Sequence, residues 1–237
     1  MDSYATLWHR YGSTSFPVRD LPSVLGGTPT LRAMTMGRLV RRGSAVRLSR
    51  GRYALLRPLS RLSESATRWP ARVPSPSVRT ILRLSLSALD GALGDRLVSV
   101  ALYGSYARGT ERPNSDVDLL VVMEGPLRPK EETELAMRVR AVCTEALVQE
   151  WRTTRTHPVP QPVFLTTHGL ARGSTFLLDL TREAILLYDR ARFLELKLDQ
   201  LARRAASLGI QRRSLPHDRW YWAMPPSTPL SALNQET

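Results

Sequence analysis

The chain is poor in the residues that build disulfide and zinc sites. Its 237 residues include one cysteine, Cys143, and four histidines. A single cysteine excludes an internal disulfide framework, which fits a reducing compartment such as the cytoplasm. The histidines and the cysteine show none of the spacings of a zinc site. Hydrophobic residues nevertheless make up 42% of the chain, enough for a packed core.

Long apolar runs are missing as well. No run approaches the ~20 residues that span a bilayer. The amino terminus carries an early acid, Asp2, and lacks the apolar stretch of a secretory signal. We therefore expect no membrane partner and a cytoplasmic location.

Acidic residues are few relative to basic ones. Lysine and arginine number 34, aspartate and glutamate 21, and the formal net charge is +13. Such a surplus favours phosphate-bearing partners, namely nucleotides, DNA or RNA. It is also found in generally basic soluble proteins, so charge alone leaves both interpretations open.

Two acids stand inside an apolar segment that runs from Val98 to Met123, VSVALYGSYARGTERPNSDVDLLVVM. Asp116 and Asp118 are two residues apart, and residues so spaced on a strand project to the same face. Two adjacent carboxylates repel each other, and a divalent cation removes that repulsion. Hard oxygen ligands favour Mg²⁺, or Mn²⁺ in its place.

The residues that precede this acid pair suit a phosphate group. Gly104 allows close approach of the backbone, and Gly104-Ser105 is expected to open a short helix whose free N–H groups attract phosphate oxygens. Arg108 adds a planar fork of donors. The turn at residues 113–115 returns the chain, so that the acid-bearing strand lies beside the first. Together these features predict metal-assisted phosphoryl or nucleotidyl transfer.

The stretch GSYARGTERPNSDVDLLVV resembles the nucleotidyltransferase motif of the DNA polymerase β superfamily: Gly-Ser, ten residues, then Asp-x-Asp. The resemblance covers roughly residues 78–190 and is strongest to the minimal nucleotidyltransferases, whose helix and "LYD" strand are similar to GSTFLLDLTREAILLYDR. It implies triphosphate binding by Gly104 and Ser105 and Mg²⁺ binding by the catalytic Asp116 and Asp118. Arg108 and Ser115 match ancillary positions of the nucleotide-binding motif.

The chain departs from this pattern at one position. Active members carry a third carboxylate on the strand after the long helix, and residues 162–167 here read PVFLTT, with no acid. Glu150 and Asp179 are the nearest alternatives, and neither fits the pattern. Active transfer and simple nucleotide binding therefore both stay open.

Residues 1–57 predict a small helical unit that ends in a hairpin. Three helices are expected, the third capped by Thr28 or Thr30 and packed through Leu31, Met34, Leu39 and Val40. The stretch LVRRGSAVRLSRGRYAL resembles the winged helix-turn-helix of DNA-binding regulators and some antitoxins. The resemblance implies DNA contacts by five arginines: Arg32, Arg38, Arg41, Arg50 and Arg52. A basic solvated helix face, or a winged helix that contacts protein, is the alternative.

The predicted fold class is α/β (α+β), a small mixed-sheet nucleotidyltransferase fold preceded by a winged-helix domain. Residues 58–76 contain four prolines and no periodicity, and are predicted to be a linker. Residues 77–210 form the nucleotidyltransferase-like domain, and residues 211–237 an aromatic and proline-rich tail. Its aromatic trio, residues 220–222, either packs on the core or stacks on a base.

These features predict a Mg²⁺-dependent transferase that moves a nucleoside monophosphate from an NTP to a hydroxyl group, with ATP as the first candidate for the NTP. By resemblance, some such proteins are antitoxins that AMPylate a partner toxin of the HEPN type. The alternative is a DNA-binding transcriptional regulator whose second domain only senses nucleotide. Antibiotic modification shares the motif, but the basic amino-terminal unit argues against it.

Overall fold

The computed structural model describes residues 2–170, 175–216, 219–226 and 233. The helices are α1 (Ser3–Tyr11), α2 (Pro22–Leu25), α3 (Pro29–Arg41), α4 (Pro58–Thr67), α5 (Pro76–Leu93), α6 (Gly104–Arg108), α7 (Pro129–Thr154), α8 (Thr167–Leu170), α9 (Thr175–Glu183) and α10 (Phe193–Ser207). The strands are β1 (Phe16–Pro17), β2 (Ala45–Ser49), β3 (Arg52–Leu55), β4 (Leu97–Tyr103), β5 (Val117–Met123), β6 (Pro160–Thr166), β7 (Ile185–Asp189), β8 (Gln211–Leu215) and β9 (Arg219–Ala223).

The larger part of the molecule is built on a four-stranded mixed sheet in the order β6-β5-β4-β7. Strand β4 is antiparallel to both β5 and β7, while β6 runs parallel to β5. Helices cover both faces, so the central strands are apolar on both sides: Leu119 packs toward α5 and α7, and Leu120 toward α9 and α10. The predicted α/β fold class is confirmed.

The amino-terminal unit, residues 1–57, has its own small core. Helices α1, α2 and α3 pack with a three-stranded sheet in the order β1-β3-β2. Thr28 caps α3 by accepting the N–H of Leu31, and Pro29 follows at the first helical position, where its missing N–H has no cost. The predicted sequence of three helices and a hairpin is present, with β1 added at its edge.

The hairpin β2–β3 packs against the larger part of the molecule. Val46 and Leu56 share one buried cluster with Ile81 of α5 and Leu147 of α7. A polar contact adds to it, because Glu145 of α7 accepts a hydrogen bond from Ser49 at 3.0 Å and pairs with Arg52 at 2.7 Å. One face of the hairpin is therefore an internal interface.

The linker predicted for residues 58–76 is wrong. Pro58 begins the ten-residue helix α4, and a short 3₁₀ turn, Trp69–Ala71, follows. The inward positions of α4 include Ser60 and Ser63, which bond to carbonyl groups, so an apolar period is absent from the sequence. Trp69 is 1% exposed and packs in the core cluster that contains Leu82 and Leu86 of α5.

The apolar stripe predicted for α3 is also wrong in part. Of the four predicted residues, Leu39 alone faces the core, where Met36 joins it. Leu31 is 49%, Met34 58% and Val40 36% exposed. The helix packs on β2 and α1 through its later turns, so the apolar residues of its first turns face outward. The Leu31 and Met34 side chains lie on the surface that also carries exposed arginines.

The carboxyl-terminal segment predicted as a tail contains an antiparallel hairpin, β8–β9. It is held to the domain by Trp220 and Trp222, whose indole N–H groups both donate to Asp179 of α9. Of the two alternatives for the aromatic trio, packing on the core holds for Trp222, which lies against the buried cluster of α9 and α10. Ser174, His217, Asp218 and the rest of the tail, 227–232 and 234–237, lie outside the described residues. Among the helices described, none is long and apolar enough to cross a membrane.

Candidate active site

The motif that runs from Gly104 to Asp118 lies at one end of the four-stranded sheet. Strand β4 leads into the five-residue helix α6, and β5 returns beside β4 with Tyr103 opposite Asp118. Gly104 has φ +73°, and a Cβ at this position would lie 2.1 Å from Oδ2 of Asp118. Only glycine therefore lets the Asp118 carboxylate lie against the backbone at the start of α6.

The surroundings of the Asp118 carboxyl group disfavour its charged form. Burial raises its pKa most, Asp116 raises it further, Arg108 lowers it and Glu183 raises it. Asp116 itself is exposed, immediately before β5. Burial is the larger cause of the raised pKa, and the neighbouring Asp116 carboxylate adds to it. The two predicted metal ligands thus lie within each other's field.

Arg108 is held by a buried acid that sequence reasoning missed. Its Nη1 lies 2.9 Å from Oε2 of Glu183, and the Glu183 side chain is only 7% exposed. The guanidinium also lies over the ring of Trp220, with 5.0 Å from Cζ to the ring centroid. Glu183 ends α9, immediately before the buried strand β7. A single acid between a helix and a buried strand indicates in the sequence that the carboxylate has a partner. The neighbouring residues do not identify that partner.

Tyrosines line the same end of the sheet. Burial, and then Asp118, raise the pKa of Tyr103 to about 12. Burial also raises the pKa of Tyr106 to about 12, with further contributions from Glu111, Glu150 and Asp116. Both phenols therefore stay protonated at neutral pH. Glu150, near the carboxyl-terminal end of α7, and Asp116 both lie within electrostatic range of the Tyr106 phenol.

The two predicted serines have different surroundings. Ser105 is in the first turn of α6 and partly exposed, and its carbonyl accepts the N–H of Thr110 at 3.0 Å. The Ser115 hydroxyl accepts the backbone N–H of Arg112 at 2.9 Å. Ser115 therefore closes the turn that delivers Asp116.

The strand beside the acid pair supplies no third carboxylate. In the parallel register Gln161 of β6 lies opposite Asp118, and its Oε1 accepts from Arg140. Asp179 is occupied by the two tryptophans, and Glu150 accepts from the hydroxyls of Thr154 and Thr156. Within the described residues, no three His, Cys, Asp or Glu side chains gather as a metal-binding group.

The five arginines predicted to contact DNA divide into two groups. Arg32 donates to the carbonyls of Gly26 and Gly27, and Arg52 pairs with Glu145. Both are therefore engaged inside the molecule. The other three are exposed on α3 and at the hairpin turn: Arg38, Arg41 and Arg50.

Comparison with known proteins bears on this motif directly. Residues 82–151 match the family model of the nucleotidyltransferase domain. This nucleotidyltransferase segment runs from α5 through most of α7 and contains the whole of the Gly104–Asp118 motif. A curated Methanocaldococcus jannaschii protein, named as a candidate protein adenylyltransferase, is 49% identical over 45 residues, which are 19% of this chain. The chain spans 31% of the length of that relative.

Solved structures resemble the chain over about half its length. A toxin–antitoxin with AMP-PNP is 18% identical, covers 54% of this chain and 92% of its own, and has a TM-score of 0.38. A tri-AMPylated Shewanella oneidensis HEPN toxin in complex with MNT antitoxin is 15% identical, with 55% and 92% covered and a TM-score of 0.36. A spectinomycin adenyltransferase from Enterococcus faecialis, with ATP and spectinomycin, is 13% identical, with 54% and 66% covered and a TM-score of 0.40. With TM-scores this low, the likenesses decide nothing about substrate or partner.

Proposed function

We propose that this protein is a divalent-metal-dependent nucleotidyltransferase that moves a nucleoside monophosphate, with AMP as the first candidate, from an NTP to a hydroxyl group. The hydroxyl oxygen bonds to the α-phosphorus and loses its proton, and pyrophosphate leaves. One observation carries the proposal: the Asp118 carboxylate lies against Gly104, inside the segment that matches the nucleotidyltransferase domain. This contact joins the phosphate-binding turn to the acid pair. Neither feature alone would specify the chemistry.

The donor set fits Mg²⁺ or Mn²⁺. Asp116 and Asp118 offer hard carboxylate oxygens, the ligands that these cations prefer. When bound, the metal would neutralise phosphate charge and lower the pKa of the attacking hydroxyl. Two carboxylates leave room for triphosphate oxygens and water in a six-ligand shell.

The chain's own residues account for the phosphate side. Gly104 and Ser105 would present backbone and hydroxyl donors, and Arg108 would donate from its planar fork. Ser115 contributes indirectly, by closing the turn that positions Asp116. Arg108 also lowers the pKa of Asp118 and so favours the ionised form that binds metal.

The acceptor is the less determined part of the proposal. A protein hydroxyl is our first choice, because the curated relative is named as a candidate protein adenylyltransferase. A HEPN-type toxin is the partner implied by the resemblance to antitoxins. RNA and small molecules are the other acceptor classes to be tested.

A second candidate function is a nucleotide-sensing, DNA-binding regulator. Gln161 occupies the place opposite Asp118 where a third acid would activate the acceptor, and a neutral amide cannot act as a general base. The sensor function needs only nucleotide and metal binding. In this version the amino-terminal unit is a winged helix that binds DNA through Arg38, Arg41 and Arg50.

The deciding experiment uses ATP labelled on the α-phosphate. With Mg²⁺ and a panel of acceptors, the wild type is expected to transfer label, and Asp116→Asn/Asp118→Asn to lose at least about 100-fold in rate, since both ligands of the metal are gone. Label on the γ-phosphate should not transfer. Glu195→Gln, which disturbs only an exposed pair with Arg192, is the matched control.

Two outcomes are informative against this proposal. ATP binding by the wild type without transfer to any acceptor would favour the sensor. Failure to bind ATP at all, with Mg²⁺ or Mn²⁺, would exclude both functions.

DNA binding is tested separately on the full chain. Binding to duplex DNA should weaken as salt rises, because each phosphate that a basic side chain neutralises releases counterions. Arg38→Ala/Arg41→Ala should weaken it further and flatten the salt dependence by about one unit of slope for each phosphate that is no longer neutralised. Indifference to both salt and substitution would contradict the DNA-binding interpretation.

A further inference from the structure

We propose that Glu183 is a positioning residue for Arg108, and that the carboxyl-terminal hairpin β8–β9 completes the triphosphate site by covering this pair with Trp220. The inference rests on the proposed function, since it assigns Arg108 to the phosphates. It adds one acid and one aromatic residue to the site, from segments 75 or more residues away along the chain.

The first step concerns the burial of Glu183. Its side chain is 7% exposed and that of Arg108 is 28% exposed, with 2.9 Å between Oε2 and Nη1. A buried carboxylate is retained only when it is paired or hydrogen-bonded. Arg108 is thus the partner of the buried Glu183 carboxyl group, and Glu183 fixes the direction of the Arg108 side chain.

The second step concerns what Arg108 can still do. A guanidinium carries five N–H donors in a rigid plane, and the contact with Glu183 is made through Nη1. The remaining edge of the fork can donate to phosphate oxygens. Because Glu183 sets the plane, the free edge is oriented before the nucleotide arrives, which is how preorganised sites gain affinity.

The third step concerns the hairpin. Trp220 lies 5.0 Å from the Arg108 guanidinium, and its Nε1 donates to Asp179 at 2.7 Å. Asp179 and Glu183 are four residues apart on α9, so they project from the same side of that helix. One face of α9 therefore holds both the arginine and the tryptophan that covers it.

Two other roles for these residues fit the geometry less well. Trp220 is a poor platform for a base, because Arg212 already lies over its ring at 3.9 Å from the centroid. Glu183 is a poor replacement for the missing metal ligand, because its carboxylate is engaged by Arg108. Holding Arg108 in place is the role that uses every observed contact.

The test compares the binding of ATP and of adenosine to the full chain by calorimetry. Glu183→Gln keeps the shape of the side chain and removes its charge. It is expected to weaken ATP binding about tenfold, a typical value for one charge-assisted hydrogen bond, and to leave adenosine binding unchanged. Trp220→Ala should weaken ATP binding about threefold, and Glu195→Gln should change nothing.

A double-mutant cycle shows whether Glu183 acts through Arg108. Once Arg108→Gln is present, adding Glu183→Gln should cause no further loss of ATP affinity. The doubly substituted chain has no buried unpaired charge, so it is expected to fold even where Arg108→Gln alone does not.

Distinct results overturn distinct statements. Unchanged ATP affinity in Glu183→Gln, or equal loss for ATP and adenosine, would overturn the positioning role. An additive cycle would do the same. Unchanged ATP affinity in Trp220→Ala would overturn the part played by the hairpin. A wild type that binds no ATP would overturn the proposed function, and this inference with it.

Discussion

The end of the sheet that carries the Gly104–Asp118 motif and helix α3 both present arginines, but these arginines have different surroundings. The Arg108 side chain is 28% exposed, is paired with a carboxylate and lies over an indole ring. Arg38 and Arg41 stand exposed on α3 near the exposed Met34. A held arginine recognises a group of fixed geometry, whereas exposed arginines offer charge that salt can screen. The comparison separates residues that would determine chemistry from residues that would provide attraction.

The largest expected effect comes from the glycine that the acid touches. In Gly104→Ala the new methyl group would displace the Asp118 carboxylate, from which it would lie 2.1 Å, and the residue would keep φ +73°. We expect a loss of about 2–4 kcal/mol in the free energy of unfolding and loss of measurable ATP binding.

Gly51 in the hairpin β2–β3 is the matched control. It has φ +75° and nothing within 4 Å of its would-be Cβ. Gly51→Ala should cost only the backbone strain, roughly 1–2 kcal/mol, and should leave ATP binding intact. Urea denaturation and calorimetry measure both quantities. Equal effects of the two substitutions would show that contact with Asp118 is unimportant.

The next effect distinguishes the two kinds of arginine by stability. Arg108→Gln leaves the buried Glu183 carboxyl group without its partner and should cost about 1–3 kcal/mol, because the Arg108 side of the pair is partly exposed. Glu183→Gln in the same chain should recover most of that loss. Arg38→Gln should change the free energy of unfolding by less than about 0.5 kcal/mol, since its surroundings are solvent. Similar losses at both arginines would remove the distinction.

A smaller effect follows from the raised pKa of Asp118. The folded protein binds a proton at this carboxyl more tightly than the unfolded chain does, so ionised Asp118 lowers stability once the pH exceeds the unfolded pKa of ~3.9. Without metal, Asp118→Asn should therefore be more stable than the wild type at pH 7. The difference should narrow as the pH falls toward 4. Chemical denaturation at several pH values tests this, and a less stable variant at pH 7 would contradict it.

The smallest effect concerns two neighbouring arginines of the hairpin. Arg50→Ala should weaken DNA binding and leave stability unchanged, because Arg50 is exposed. Arg52→Ala should leave DNA binding unchanged and cost about 1 kcal/mol, because Arg52 pairs with the partly buried Glu145. Electrophoretic shift assays and thermal denaturation read the two properties. The opposite assignment would mean that the hairpin reaches DNA through its paired side.

Local sequence patterns predicted the Gly104–Asp118 motif, but they could not predict contacts between residues that are far apart along the chain. Gly104, Asp116 and Asp118 lie within fifteen residues, in the segment that joins β4 to β5 and at the start of β5, so their meeting follows from one local connection. Glu183 and Trp220 reach the same place only through the tertiary fold. No spacing rule links residues so far apart.

Two predictions based on hydrophobic periodicity, the linker at residues 58–76 and the buried face of α3, are wrong for related physical reasons. Helix α4 turns serines inward, and their hydroxyls are satisfied by carbonyl groups, so the hydrophobic period that identifies a helix is absent. Helix α3 exposes Leu31 and Met34, so its apparent stripe did not mark the buried side. Hydrophobic periodicity predicts which side chains are buried only where one face of a helix lies in water and the other packs on an apolar core.

The reaction rate of the Cys143 thiol can report how often the amino-terminal unit separates from α5 and α7. The thiol lies in the cluster that hairpin β2–β3 shares with α5 and α7, and burial raises its pKa to about 12. A disulfide reagent therefore reacts only when that cluster opens. Because the chain has no second cysteine, the reaction rate in native buffer gives the free energy of this opening. A nucleotide or a DNA duplex that slows the reaction would show that its binding strengthens the junction between the two units.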